Sequence, residues 1–220
     1  PVYLYANAAR HSERKLLPII RKGEYEGLKE KIIQEEWKPD EGPQEFIPKS
    51  GAIATGARSV LIAFNINLNT DNKSEANKIA GLLRTSGVLK KDQLGNKILD
   101  DSGKPKRIPG KFSFLQAAGW MYDKTTAQVS MNLLNYSETG MHTIMEEIKK
   151  EAAKLNLTVT AGELVGLVPL NALIDSGNFY HSNPSSASIE ELVDSAIKGL
   201  MLDKLNEFNT KKRIIEWAAN

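Results

Sequence analysis

Nothing constrains this chain more than the nine residues Val60 to Leu68, VLIAFNINL, which alternate with strict period two. Val60, Ile62, Phe64, Ile66 and Leu68 fall on one face of an extended strand, Asn65 and Asn67 on the other. A helix would scatter these residues around its circumference, so only a sheet with one apolar and one amide-bearing face satisfies the pattern. A second stretch, TTAQVSMNLLNY, repeats it: Gln128, Ser130 and Asn132 alternate with Val129, Met131 and Leu133. Together with KFSFLQAAGWMY before it, and Asp123 and Lys124 between, this reads as an antiparallel hairpin. Open sheet faces usually carry long solvated charges. Short amides suit fixed donor and acceptor geometry toward a ligand, and a face simply turned to water is the alternative reading.

The rest of the chain supplies helices to cover the apolar face. Ala76, Ile79, Ala80 and Leu83 recur at helical spacing from Lys73 to Ser86, with Gly87 as a stop. Thr139 is expected to cap a helix carrying Met141, Ile144, Met145, Ile148, Ala152 and Leu155. LTVTAGELVGLVP reads as a further strand and Leu170 to Ser176 as a short helix. The order β-α-β-β-α-β-α predicts an α/β fold, an α+β sandwich with mixed sheets and helices on the outer face. Before it, Val2 to Tyr5 reads as a strand beginning at the first residue, whose neighbours are expected from upstream sequence or another chain. Helices are predicted from Ser12, with Pro18 near the first turns, and from Glu24 to Glu36, where Leu28, Ile32 and Ile33 form a stripe. WKPDEGPQEFIPKSG, with three prolines and two glycines, is a long loop of the kind that often carries function.

Composition excludes some chemistry. There are no cysteines, hence no disulfide, thiolate metal site or cysteine nucleophile within this sequence. A net charge of +2 is ordinary for a globular protein. No apolar run approaches the roughly 20 residues that span a bilayer, so a cytoplasmic location without membrane is expected. Eight basic residues against three acidic ones lie between Arg84 and Lys111, but no aromatics interleave with them, so a solvated loop is expected in preference to nucleic-acid binding.

The blocks PVYLY…AAR, IRKGEYEGL, WKPDEGP, SGAIATGAR, LIAFNINL, AQVSMNLLNY and ELVGLVPLNALID resemble, in this order, the formiminotransferase domain of glutamate formimidoyltransferase across nearly the whole chain. The resemblance implies transfer of a formimino group from N-formimino-L-glutamate to tetrahydrofolate as co-substrate in histidine breakdown, without a metal, by a cytoplasmic homodimer. It implies two α/β subdomains whose sheets face each other across the cleft. Residues 1–60 would match the end of the first, 61–205 the second, and 206–220 a helical extension. The family's folate-contacting runs match Gly42, Pro43, Gln44, Glu45, Phe46, Ile47, Pro48, Lys49, Ser50 and Gly51, and then Gly110, Lys111, Phe112, Ser113, Phe114, Leu115, Gln116, Ala117, Ala118 and Gly119. The family's catalytic histidine matches no position from Pro1 on, so it is expected on a missing N-terminal segment or a second chain. The alternative is a non-catalytic folate or polyglutamate-binding module completed by a partner segment.

From the residues themselves, formimino transfer calls for a group titrating near neutrality. His11 reads as a surface residue, His142 as a partly buried structural one, and His181 as lacking a partner. Arg58 and Lys49 are candidates for a substrate carboxylate. Glu163, the one carboxylate in an apolar strand, is expected to pair with a lysine or arginine behind the sheet, and Trp120 and Tyr122 to be core. Gly51 and Gly56 are expected to let a ligand approach the backbone, so that Gly56→Val abolishes binding and leaves the fold intact.

Overall fold

A computed structural model describes residues 1–219. The chain divides into two units, Pro1–Ser59 and a larger one beginning at Val60.

In the first unit, strand β1 (Val2–Ala6) pairs in parallel with β2 (Ile53–Ala57), so the opening strand finds its neighbour within this chain. The sequence IATGA gave no strand signal because glycine and alanine are poor strand formers and all five residues are exposed. Gly56 is placed by this pairing: a Cβ there would lie 2.5 Å from the Tyr5 carbonyl oxygen. Gly56→Val therefore collides with β1, and the expectation of an intact fold is overturned. The predicted helix from Ser12 is a 3₁₀ turn (Ser12–Arg14) and a four-residue α1 (Leu17–Ile20), with Pro18 in its first turn. The predicted helix 24–36 shrinks to α2 (Leu28–Lys31) and a 3₁₀ turn at Glu35–Trp37. Gly23 (φ +89°) and Glu24 (φ +48°) occupy left-handed backbone that no helix continues through, and Ile33 of the expected stripe stays exposed. Tyr3, Ile20, Leu28 and Ile32 form the small core, flanked by Trp37 and Phe46.

Arg14 and Asp40 are buried beneath that core. Asp40 Oδ2 accepts from the Leu4 amide (2.9 Å) and from Arg14 Nη1 (3.0 Å), while Arg14 Nη2 donates to the carbonyls of Glu36 and Lys38. The guanidinium lies 5.4 Å from the Tyr3 ring centroid and 5.7 Å from that of Trp37. Asp40 Oδ1 is buried without a hydrogen bond, 4.0 Å from His11 Nε2.

The second unit is built on a four-stranded antiparallel sheet in the order β6-β7-β3-β8. Its strands are β3 (Ile62–Leu68), β6 (Leu115–Met121), β7 (Ala127–Leu133) and β8 (Val159–Val165). Helix α3 (Lys73–Leu83), capped by Asn72 and stopped before Gly87 (φ +56°), packs on β6 and β7. Helix α4 (Met141–Ala153) packs on β3 and β8. Its N-cap is Gly140, not Thr139, whose hydroxyl donates instead to the Ser113 carbonyl (2.8 Å). Helix α5 runs Leu170–Tyr180, longer than predicted, and packs on α6 (Ile189–Gly199), which opens on a capping box of Ser188 and Glu191. Short helices α7 (Thr210–Arg213) and α8 (Ile215–Ala218) follow, with Ile214 between them in the same core.

The basic run between Arg84 and Lys111 forms a two-stranded arm, half-buried β4 (Val88–Leu89) against exposed β5 (Arg107–Ile108). Its two turns repeat one device: Asp92 Oδ1 accepts from the Leu94 and Asn96 amides, Asp100 Oδ1 from those of Ser102 and Lys104. The Asn96 amide above all holds the Asp92 carboxyl below the usual carboxylate range, and the Ser102 hydroxyl, followed by the Lys104 amide, does the same for Asp100. Among the described residues no helix is long and apolar enough to cross a membrane.

Candidate functional site

The polar face of the large sheet follows from register. Antiparallel pairing sets Asn65 opposite Ser130 and Glu163, Asn67 opposite Gln128 and Ala161, and Ala63 opposite Asn132. Ile62, Phe64, Ile66, Val129, Met131 and Leu133 are buried on the helix-covered side. The sequence-derived faces are thus correct, except that Val60 precedes the strand and is exposed.

The amides are engaged with one another. Gln128 Nε2 donates to Asn67 Oδ1 and to Glu163 Oε2, both at 2.9 Å, and Asn65 Nδ2 donates to Glu163 Oε2 at 3.0 Å. Asn65 Oδ1 accepts from the Met131 amide (3.1 Å). Glu163 therefore pairs with two amides on the polar face, and the expectation of a lysine or arginine behind the sheet fails. The signal was the register: Glu163 lies in phase with Ala161 and Val165, while Gly162 and Leu164 face the core strand residues Ile66 and Phe64.

Trp120 and Tyr122 are exposed, 60% and 42%, so their reading as core residues is overturned. On β6 the buried residues are Leu115, Ala117 and Gly119, which puts Gln116, Ala118 and Trp120 on the polar side opposite Asn132, Ser130 and Gln128. Trp120, Met121, Tyr122, Asn65, Gln128, Ser130 and Glu163 line a hollow of about 450 Å³.

The run Gly110–Gly119 is divided by the strand. Only Gln116 and Ala118 of its strand residues point to the polar face. Lys111 is ion-paired with Glu147 of α4, which holds that carboxyl low. Phe112 packs against the core, Phe114 is exposed at φ +54°, and Ser113 offers its carbonyl to Thr139. Gly110 and Gly119 are where backbone meets backbone: a Cβ at Gly110 would lie 2.0 Å from the Arg84 carbonyl oxygen.

The run Gly42–Gly51 lies in the first unit, where its second half forms one wall of a cavity of about 460 Å³. Pro48, Lys49, Ser50 and Gly51 line it with Arg21, Tyr25, Leu28 and Lys31. Ser50 and Gly51 donate their amides to the Ile47 carbonyl, and the Tyr25 hydroxyl donates to that of Pro48 (2.7 Å), which fixes the turn. Gly51 (φ +59°) lies close under the Tyr25 ring. Phe46 packs on Tyr25 (centroids 5.6 Å), whereas Gly42, Pro43, Gln44 and Glu45 are exposed and do not line the cavity. Lys31 caps the carbonyls of Ile19, Ile20 and Lys22, and burial pushes its ammonium below the ordinary lysine value. Lys49 makes no ion pair among the described residues, whereas Arg58 lies outside the cavity with its guanidinium on the Ser59 carbonyl.

None of the three histidines lines either hollow. His181 Nδ1 accepts from the Asn183 amide (3.0 Å), so it does have a partner. His142 is half-buried and stacked on Phe179 (4.9 Å), with Nδ1 buried and without a hydrogen bond. Burial lowers its pKa, opposed by the carboxylates of Asp175 and Glu146. The unfolded chain then takes up this proton more readily than the folded one, so stability is unaffected above the ordinary value and falls as pH drops from about 6.5 toward the lower folded value. Urea melts at pH 7.5 and 5.5 are expected to differ less in His142→Phe, which keeps the stack, than in the parent; an unchanged difference refutes the assignment.

Among the described residues no group of three or more His, Asp or Glu side chains is placed to hold a metal ion. The formiminotransferase domain family matches residues 63–220, and the formiminotransferase N-terminal subdomain family matches residues 1–58. A formimidoyltransferase-cyclodeaminase of Dictyostelium discoideum and one of Mus musculus are each 44% identical over 220 residues, covering 99% of this chain and 38% of theirs. A glutamate formimidoyltransferase of Thermoplasma acidophilum is 37% identical over 223 residues, covering all of this chain and 60% of its own. The chain thus spans less than two thirds of the length of these relatives.

Proposed function

This chain belongs to the formiminotransferase family, and on that premise we propose that it binds the substrates of a folate-dependent transferase moving the formimino group of N-formimino-L-glutamate to N5 of tetrahydrofolate. In that reaction N5 forms a bond to the amidine carbon, the bond from that carbon to the glutamate nitrogen breaks, and the proton leaving N5 ends on the departing amine. The names of the relatives support the transfer of a formimidoyl group, and two of the three are borne by proteins that also carry a cyclodeaminase name.

The observation that carries the reading is the first-unit cavity. The half of the family's folate-contacting run that follows Ile47 forms its wall, an aromatic ring stands at Tyr25, and Lys49 is a cation with no ion-pair partner among the described residues. An aromatic surface beside an unengaged ammonium suits the aminobenzoyl-glutamate portion of a folate. The chain's three histidines are not assigned the proton shuttle, since none reaches a hollow.

Calorimetric titration with 5-formyltetrahydrofolate tests this directly. Saturable binding is expected, weakened roughly tenfold in Lys49→Ala as one charge-assisted contact is lost. No saturable heat in the parent chain would overturn the reading.

A further inference from the structure

The second-unit hollow holds a carboxylate oxygen left unpaired among the described residues. Every amide hydrogen bond given above points inward: Gln128 donates to Asn67 and Glu163, and Asn65 donates to Glu163. Two acceptor oxygens remain unpaired among the described residues, alongside the second Asn65 Nδ2 hydrogen and the Ser130 hydroxyl. Among the described residues Glu163 Oε1 makes no hydrogen bond or ion pair and the side-chain oxygen Gln128 Oε1 accepts none, and Ser130 lines the same hollow. Trp120, opposite Gln128 on the outer strand β6, lines the same hollow and is 60% exposed, with the Lys73 ammonium 5.3 Å from its centroid. A half-buried carboxylate with no ion-pair partner among the described residues, held by two amides in a hollow that an exposed indole also lines, complements a planar donor that carries positive or partly positive charge.

We infer that Glu163 and Trp120 form a subsite for a planar N–C–N donor group, the carboxylate oxygen Oε1 accepting from its N–H and the indole covering its plane. Neither residue falls in the runs Gly42–Gly51 or Gly110–Gly119. Resting on the proposed function, two sources share this chemistry: the formamidine of N-formimino-L-glutamate and the 2-aminopyrimidinone edge of a folate's pterin.

The network predicts the outcome of Glu163→Gln. Asn65 and Gln128 present two N–H groups that require an oxygen, so the new side chain must turn its oxygen toward them and its NH₂ into the hollow. An acceptor becomes a donor, facing the ligand's own donors, with the fold's hydrogen bonds retained.

Benzamidinium, followed through the Trp120 indole N–H resonance, probes the subsite independently of folate. It is expected to bind the parent chain and to lose roughly tenfold to a hundredfold in affinity in Glu163→Gln. Equal affinity in the two proteins, or no binding to the parent, overturns the inference. Benzamidinium binding that depends on Glu163 in a chain that takes no folate would leave the subsite standing and sink the proposed function alone. The sources separate by difference. If the formamidine is the occupant, Glu163→Gln weakens N-formimino-L-glutamate and spares L-glutamate; if the pterin is, it weakens 5-formyltetrahydrofolate and spares 4-aminobenzoyl-L-glutamate.

Discussion

Asp40→Ala is expected to lower the stability of the unit formed by residues 1–59 by about 3–5 kcal/mol, the range for breaking a buried ion pair from one side. The reason lies in what remains. Arg14 is 2% exposed and keeps its contacts to the Glu36 and Lys38 carbonyls, but loses the one counter-charge that Asp40 supplies. The Leu4 amide loses its acceptor at the same time. With a core of only Tyr3, Ile20, Leu28 and Ile32, this unit has little apolar burial to offset the loss. Asp40→Asn keeps an oxygen for one of the two donors and should fall between the parent and the alanine variant. Hydrogen exchange resolved by peptide is the decisive measurement, because it reads residues 1–59 separately from those that follow. Protection in β1 and β2 should drop while the four-stranded sheet is unchanged; a loss below about 1 kcal/mol would mean that the pair is dispensable.

Gly119→Ala should destabilise the larger unit by about 2–3 kcal/mol, for a reason unconnected with ligand. A Cβ on this residue would lie 2.4 Å from the Asn77 amide nitrogen and 2.7 Å from the Lys73 carbonyl oxygen, both helix backbone. Neither can rotate away, so α3 must lift from β6, and the hydrogen bond from the Gly119 amide to Asn77 Oδ1 goes with it. Ala118→Ser, one residue away on the exposed side, is the control and should change thermal stability little. A Gly119→Ala protein that melts with the parent would show that the helix yields more easily than its packing implies.

Where the sequence was legible, the reason was periodicity over enough residues. Ile62 to Leu68 and Val129 to Leu133 fix their faces unaided, because a wrong face would bury amides in an apolar core. The same count applied from Leu115 would have put Trp120 beside Gln128. It was obscured because Gly119, Trp120, Met121 and Tyr122 look apolar as a block, although only alternate members can face inward. The 24–36 helix failed for a local reason, since an apolar stripe at helical spacing does not overcome left-handed backbone at Gly23 and Glu24. Strand β2 was hidden because it buries nothing, so its alternation carries no chemical label. Glu163 was singled out as an unusual carboxylate, but its partners are set by pairing between strands nearly a hundred residues apart, which no local pattern records.

The amide network also bears on how the sheet finds its alignment. Shifting β3 by one residue against β7 and β8 would turn Ile66 toward Glu163 and send Asn65 and Asn67 into the apolar layer. Such a slip forfeits the bonds from Asn65 and Gln128 together and strands several polar groups without partners. A misaligned strand is therefore far less stable than the native register. The side chains that furnish the hollow act, during folding, as the key that only one alignment turns.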